Sequence, residues 1–374
     1  MSLMSKLVLV ALVILALSSA AARGGGVRHR SRGGVLSKSI SELSPDVVVD
    51  KRGGGNLTTI ADALRLYKVK PKGAHFVIYI SEGTYEEHLV ITVPNVVLIG
   101  DGMTRTVITG NRSRNNGYNT EESATLTATI TGVGFMARDL SIHNTAGAPG
   151  DKQAVALFSA APETVLFRCD IRGFQDTLLA KENTHFYRDC HIWGTVDFIF
   201  GDAAAVFQDC FIFARPPASK GQPAVVTAQG RLKHDGGSGF VFQNCTVKAS
   251  TLPGESLAGV QTYLGRPWKH HARTVFLLNS VDSVMIHADG WKSWNETSQA
   301  GGEGPEAGHS NHIIYAEYKN RRLGGSSVDE PLRWNGFYSI KNDSEAEQFT
   351  PGKFIRGRAW LPRTGVSYYL GLTN

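Results

Sequence analysis

The sequence has little of what a metal centre needs. Its four cysteines stand far apart, and neither a Cys-x-x-Cys nor a His-x-x-x-His spacing occurs in the 374 residues, so no metal site is expected. Leucine does not recur as a leucine-rich repeat requires, and the repeat that is present is about half a propeller blade. Beyond residue 22 no apolar run is long enough to cross a bilayer. Residues 1–22 are different: Lys6 precedes an apolar run from Leu7 to Leu17 and a small-residue end at Ala20-Ala21-Ala22. That pattern reads as a secretory signal cut after Ala22. The expected organisation is a signal over 1–22, a basic Gly-rich linker over 23–44, and one domain over 45–374.

Secretion permits disulfides and glycans at Asn56, Asn111, Asn244, Asn295 and Asn342, each in an Asn-x-Ser/Thr site. Asn56 and Asn244 fall within strand-like runs, where burial is expected to block modification. The formal charge of +6 drops to about +5 when Lys6 leaves with the signal. A basic secreted chain attracts polyanions, and acidic polysaccharide suits that compartment better than nucleic acid. Part of the charge is Arg23, Arg28, Arg30 and Arg32, which with Gly24-Gly25-Gly26 reads as a disordered tail.

Four segments share one shape: Val165-Leu-Phe-Arg-Cys169-Asp-Ile171, His185-Phe-Tyr-Arg-Asp-Cys190-His-Ile192, Ala205-Val-Phe-Gln-Asp-Cys210-Phe-Ile212 and Phe240-Val-Phe-Gln-Asn-Cys245-Thr-Val247. Their cysteines step by 21, 20 and 35 residues, and Phe135–Ile142 and Val275–Val281 repeat the shape. Short β-branched and aromatic runs recurring at about twenty residues point to a parallel β-helix, each coil stacking on the next at about 4.8 Å. The class is therefore all-β, with a short capping helix around Asp62–Tyr67 at the N-terminal end and a loop and helix tail at the C-terminal end. The long step from Cys210 to Cys245 requires loops at Pro216–Pro223 or Leu232–Ser238, which are expected to wall a cleft. The cysteines form one inward ladder. Neighbouring rungs would allow a disulfide between Cys190 and Cys210, or Cys169 and Cys190, and buried free thiols fit as well.

Asp176 in Gly173-Phe-Gln-Asp-Thr-Leu178 and Asp197 in Gly194-Thr-Val-Asp-Phe-Ile-Phe-Gly201 stand 21 residues apart, one coil. Two carboxylates on neighbouring rungs ionise differently and can share one reaction. Asp197 interrupts an apolar run, which costs several kcal/mol without a compensating partner. Arg266, set between Gly265 and Pro267, is the best candidate for that partner, and a structural Arg–Asp bridge is the alternative. Gln175 precedes Asp176, and Gln153 lies about one coil earlier. Their amides could bind an oxyanion or merely stabilise the ladder.

With Gly83-Thr-Tyr-Glu86, Gln153-Ala-Val-Ala-Leu157, Leu264-Gly-Arg-Pro-Trp268 and Trp360-Leu-Pro-Arg-Thr-Gly-Val366, the two aspartate motifs make six ordered motifs. Together they resemble those of the plant pectinesterases, or pectin methylesterases, in the short form that lacks an inhibitor-like pro-region. The resemblance implies a right-handed parallel β-helix that hydrolyses C6 methyl esters of pectin in the cell wall without a cofactor. Asp197 would be the nucleophile and Asp176 the proton donor and acceptor. Gln153 and Gln175 would bind the oxyanion, and Arg266 would orient Asp197 and keep it ionised. Thr120, Phe200, Trp268 and Trp291 would line the sugar cleft. The implied partner is methyl-esterified homogalacturonan acted on by a monomer, with a proteinaceous pectinesterase inhibitor as a second partner and no nucleic acid or membrane.

Two departures stand out. Thr120-Glu-Glu-Ser-Ala-Thr125 puts Glu121 where the family has an aromatic, and Leu179 replaces a tyrosine. The added charge of Glu121 could weaken binding to demethylated, anionic pectin or shift preference toward highly esterified substrate. Leu179 is a smaller change, and neither touches the expected catalytic set. The rival readings are a pectin-cleaving β-helix glycosidase or lyase and an inactive wall-binding paralogue. An adjacent Asp-Asp pair, a Gly-His-Gly motif and an acidic calcium cluster, which the former would carry, are missing.

Overall fold

The structure is a computed structural model that describes residues 28–29, 33–146, 152–282, 285–294, 312–323 and 337–373. The expected signal, 1–22, lies outside the described residues. Through the middle of the chain every third strand pairs in parallel, giving sheets of eleven, nine and seven strands, the parallel β-helix that the repeat implied. Each central coil contributes one short strand to each sheet, and the end coils contribute to fewer.

Stacking in register turns the sequence repeat into ladders. Along the nine-stranded sheet Ile108, Ile142, Ile171, Ile192, Ile212, Val247 and Val281 pair in succession, all facing the interior. Tyr187, Phe207, Phe242 and Phe276 do the same in the eleven-stranded sheet, with ring centroids 4.6, 4.6 and 4.5 Å apart. Each fully buried side chain of this kind is worth about 1.5–3 kcal/mol. The opposite face of that sheet carries Val97, Met136, Val165, Phe186, Val206, Val241 and Val275. It is covered by Leu36 from the N-terminal segment and by Ile355, Trp360, Leu361 and Val366 from the C-terminal tail.

The cysteines are explained by the corner between these two sheets. A residue of left-handed backbone, Asp139, Arg168, Asp189, Asp209 or Asn244 (φ 50 to 55), ends the first strand, and the next residue turns inward. Those inward residues are Leu140, Cys169, Cys190, Cys210 and Cys245, all buried. The proposed Cys190–Cys210 bond is not made, and all four thiols are free. In-register parallel neighbours hold their Cβ atoms side by side near the strand spacing of about 4.8 Å, whereas a disulfide draws them to about 3.8 Å. The Cys190 thiol instead donates to the carbonyls of Leu166 and Arg188, both 3.4 Å away.

The capping helix runs from Ile60 to Arg65, two residues earlier than expected. Glu87 accepts from the Ile60 and Ala61 amides at 2.9 and 2.8 Å, which fixes its N-terminus over the first coil. The C-terminal tail holds short helices at Asp343–Glu347, Pro351–Phe354 and Leu361–Thr364.

The described part of the expected linker is packed rather than loose. Leu36 is fully buried, Arg138 donates to its carbonyl at 2.9 Å, and Arg28–His29 pair with Tyr368–Tyr369. The expected burial of Asn56 and Asn244 is also corrected: both side chains are exposed, one in a turn and one at a corner.

Candidate active site

Asp176 and Asp197 each stand two residues before a strand of the seven-stranded sheet, and Leu178 and Ile199 of those strands are paired. The Asp176 amide donates to the Val196 carbonyl at 3.1 Å, so the two aspartates occupy equivalent places on adjacent coils. Both are left-handed, with φ of 62° and 50°, a conformation aspartate tolerates better than most residues. Gly194 makes the second turn feasible, because a Cβ there would come within 2.1 Å of the Phe198 Cβ.

Arg266 reaches this point from two coils further on, 69 residues along the chain. Its Nε donates to Asp197 Oδ1 at 2.8 Å and its Nη2 to Oδ2 at 2.5 Å, a two-pronged pair that is nearly buried. The backbone carrying it is locked by the Arg266 amide on the Thr227 carbonyl at 2.9 Å. Gly265 allows that approach, since a Cβ would meet Thr227 Oγ1 at 2.0 Å. The Trp294 ring lies 4.4 Å from the guanidinium carbon and fixes the plane from the other side.

The neighbouring carboxyl has a different environment. Among the described residues Asp176 has no hydrogen-bond partner for its side chain, and burial pushes its pKa well above the usual carboxylate value. The negative charge of Asp197 raises it further, while Arg266 and Arg114 act in the opposite direction. A carboxylate paired with a cation thus stands beside a carboxyl group that gives up its proton only at raised pH, an arrangement suited to a nucleophile with an adjacent general acid.

These groups open onto one cleft on the outer face of the seven-stranded sheet, lined also by Gln153, Gln175, Thr120, Phe200 and Trp268. The Phe200 and Trp268 rings are 6.2 Å apart and tilted by 58°. Gln153 and Gln175 are held by their backbones, the carbonyl of the first accepting from the Arg114 amide and that of the second from the Ala154 amide.

One expected cleft residue is elsewhere. Trp291 is fully buried, 4.4 Å from the Tyr315 ring and 5.7 Å from Phe276, in the solenoid interior. Trp294 lines the cleft in its place. The spacing Trp-x-x-Trp left both available, and only the pairing of Trp291 with Gly265 turns it inward. The two loops expected to wall the cleft do run between strands, at 215–223 and 230–238, yet neither lines it. Sequence reasoning also missed Arg114 and Lys181. Each is an isolated cation with no motif around it; Lys181 reaches the Glu121 carboxylate at 2.5 Å across the cleft wall.

Comparison with known proteins agrees with the geometry. Residues 46–358 match the family described as Pectinesterase. Pectinesterase 2 of Citrus sinensis is 40% identical over 327 residues, 87% of this chain and 61% of its own. The chain spans about three-fifths of the length of the curated relatives it matches. Among solved structures, a pectin methylesterase from carrot superposes with a TM-score of 0.79 at 38% identity, covering 90% of this chain and 100% of that one. A pectin methylesterase in complex with a hexasaccharide superposes with a TM-score of 0.66 at 25% identity, over 84% and 97% of the two chains.

Proposed function

Since this chain belongs to the pectinesterase family, we propose that it hydrolyses the C6 methyl esters of pectin to methanol and free carboxylate. The observation that supports this most is the two-pronged Arg266–Asp197 pair beside the buried, proton-holding Asp176. In this reading an Asp197 carboxylate oxygen attacks the ester carbonyl carbon. The Gln153 and Gln175 amides donate to the oxyanion that forms, each contributing on the order of 10²–10³-fold in rate. As the bond to methoxide breaks, Asp176 passes its proton to the departing oxygen, and methanol leaves an acyl group on Asp197. Asp176, now a carboxylate, takes a proton from water as that water attacks the acyl carbon. Expulsion of Asp197 completes the cycle, with proton and charge restored.

Arg266 holds Asp197 at one angle through both reactions. Trp268, Trp294 and Phe200 offer flat apolar surface to sugar rings, and Thr120 contributes a hydroxyl at the rim. The same reading places the protein in the plant cell wall as a monomer acting on homogalacturonan, open to a proteinaceous inhibitor. A methanol-release assay on methylated pectin, with and without a chelator, tests it. Methanol without chain scission in both arms is the expected result; new reducing ends, unsaturated products or no methanol would contradict it.

A further inference from the structure

The cleft contains two exposed cations in different circumstances. Arg114 has no ion-pair partner among the described residues, whereas the Lys181 ammonium is held by Glu121 at 2.5 Å. Both members of the pair are about half exposed, and both line the cleft that contains Asp176 and Asp197. Lys181 follows the strand Leu178–Ala180, whose Leu179 forms part of the cleft floor next to Phe200. The pair therefore shares the wall of one cleft with the two carboxyls.

We propose that the Glu121–Lys181 pair determines specificity, disfavouring a galacturonate carboxylate at the adjoining position and accepting a methyl ester there. The inference rests on the cleft being a pectin methylesterase site. A free Lys181 would attract a neighbouring carboxylate; engaged by Glu121 it offers no net charge, and Glu121 opposes a second anion. Every turnover converts a neutral ester into an anion, so the pair also makes the enzyme's own product a poor neighbour for the next reaction. Demethylation is then scattered along the chain rather than continuous.

The test compares kcat/KM for methanol release from fully methylated and partly demethylated pectin of equal chain length, in low and high salt. Glu121→Gln is expected to raise the value on the partly demethylated substrate by about three- to fivefold, with less than about twofold change on the fully methylated one. Lys181→Gln is expected to lower it on the partly demethylated substrate alone, and high salt should shrink both effects. Glu86→Gln removes the same charge from the exposed edge of the nine-stranded sheet and should change neither substrate. Equal effects of Glu121→Gln on both substrates, or effects no larger than those of Glu86→Gln, would overturn the proposal. A wild-type protein that releases no methanol from either substrate would refute the esterase reading instead.

Discussion

Asp139 and Asp197 look alike on local criteria. Each has left-handed backbone, and each is gripped by both prongs of an arginine, Asp139 by Arg168 at 2.6 and 2.6 Å and Asp197 by Arg266 at 2.8 and 2.5 Å. They sit at different corners. The first is on the outside of the turn between the eleven- and nine-stranded sheets, where Arg168 is 43% exposed; the second faces the cleft, where Arg266 is only 11% exposed. At the first corner Asp189 and Asp209 continue the ladder and share Arg188 as a cation, and Asp209 also accepts from Asn244 at 2.6 Å. At the second, the next carboxyl along is Asp176, which has no such partner among the described residues. A paired aspartate is therefore a common structural device of this solenoid, and what distinguishes the cleft is a paired carboxylate beside an unpaired one.

The largest expected contrast comes from removing each aspartate's charge. Asp197→Asn should reduce methanol release by on the order of 10⁴-fold or more, whereas Asp139→Asn should leave it within about twofold and lower only the melting temperature. Similar losses from both would erase the distinction. Next in size is Asp176→Asn, expected to cost about 10²–10⁴-fold, the range of general acid–base catalysis.

The titration of Asp176 sharpens the comparison further. Because its folded pKa is raised, the native chain keeps a proton that the unfolded chain has released. Its stabilising contribution is complete below the ordinary carboxylate range and is lost as pH climbs through the raised value. Asp176→Asn, which cannot ionise, should match the wild type in melting temperature under acidic conditions and exceed it increasingly toward neutrality. Wild-type kcat should fall over the same rise in pH, because the acid that protonates methoxide is being lost.

The two tryptophans give a smaller and opposite pair of effects. Trp291→Ala empties a filled interior site and should destabilise by about 3–5 kcal/mol, while Trp294→Ala should mainly raise KM and loosen Arg266. Smallest of all, a reducing agent should leave the melting temperature unchanged, since the four thiols are free; a bonded pair would lose about 2–5 kcal/mol on reduction.

Much of this was legible because a solenoid repeats its corners. The cysteine steps gave the coil length, since each cysteine is the first inward residue after a left-handed turn, and the same 21-residue step set Asp176 beside Asp197. Depth was not legible. Trp291 and Trp294 are three residues apart, and which faces inward depends on a bridge to Gly265, far away in sequence. The segment before residue 45 reads as a linker because glycine and arginine dominate it, although Leu36, with Val35 and Leu43 beside it, docks it on the solenoid. Arg114 and Lys181 carried no local pattern, and their meaning comes only from the coils that bring them to Asp176 and Glu121.

The central claim is that Asp176 holds a proton next to the ionised, arginine-bound Asp197. Carboxyl-carbon NMR of ¹³C-aspartate-labelled protein across a pH series tests it directly. Burial also raises Asp202 and Asp209, but Asp176 is raised furthest. The aspartate signal that stays protonated to the highest pH should therefore vanish in Asp176→Asn and titrate at lower pH in Asp197→Asn, where the neighbouring charge is gone. A spectrum in which every aspartate is ionised by the end of the ordinary range, or one whose latest-titrating signal is unchanged in Asp176→Asn, would contradict the account.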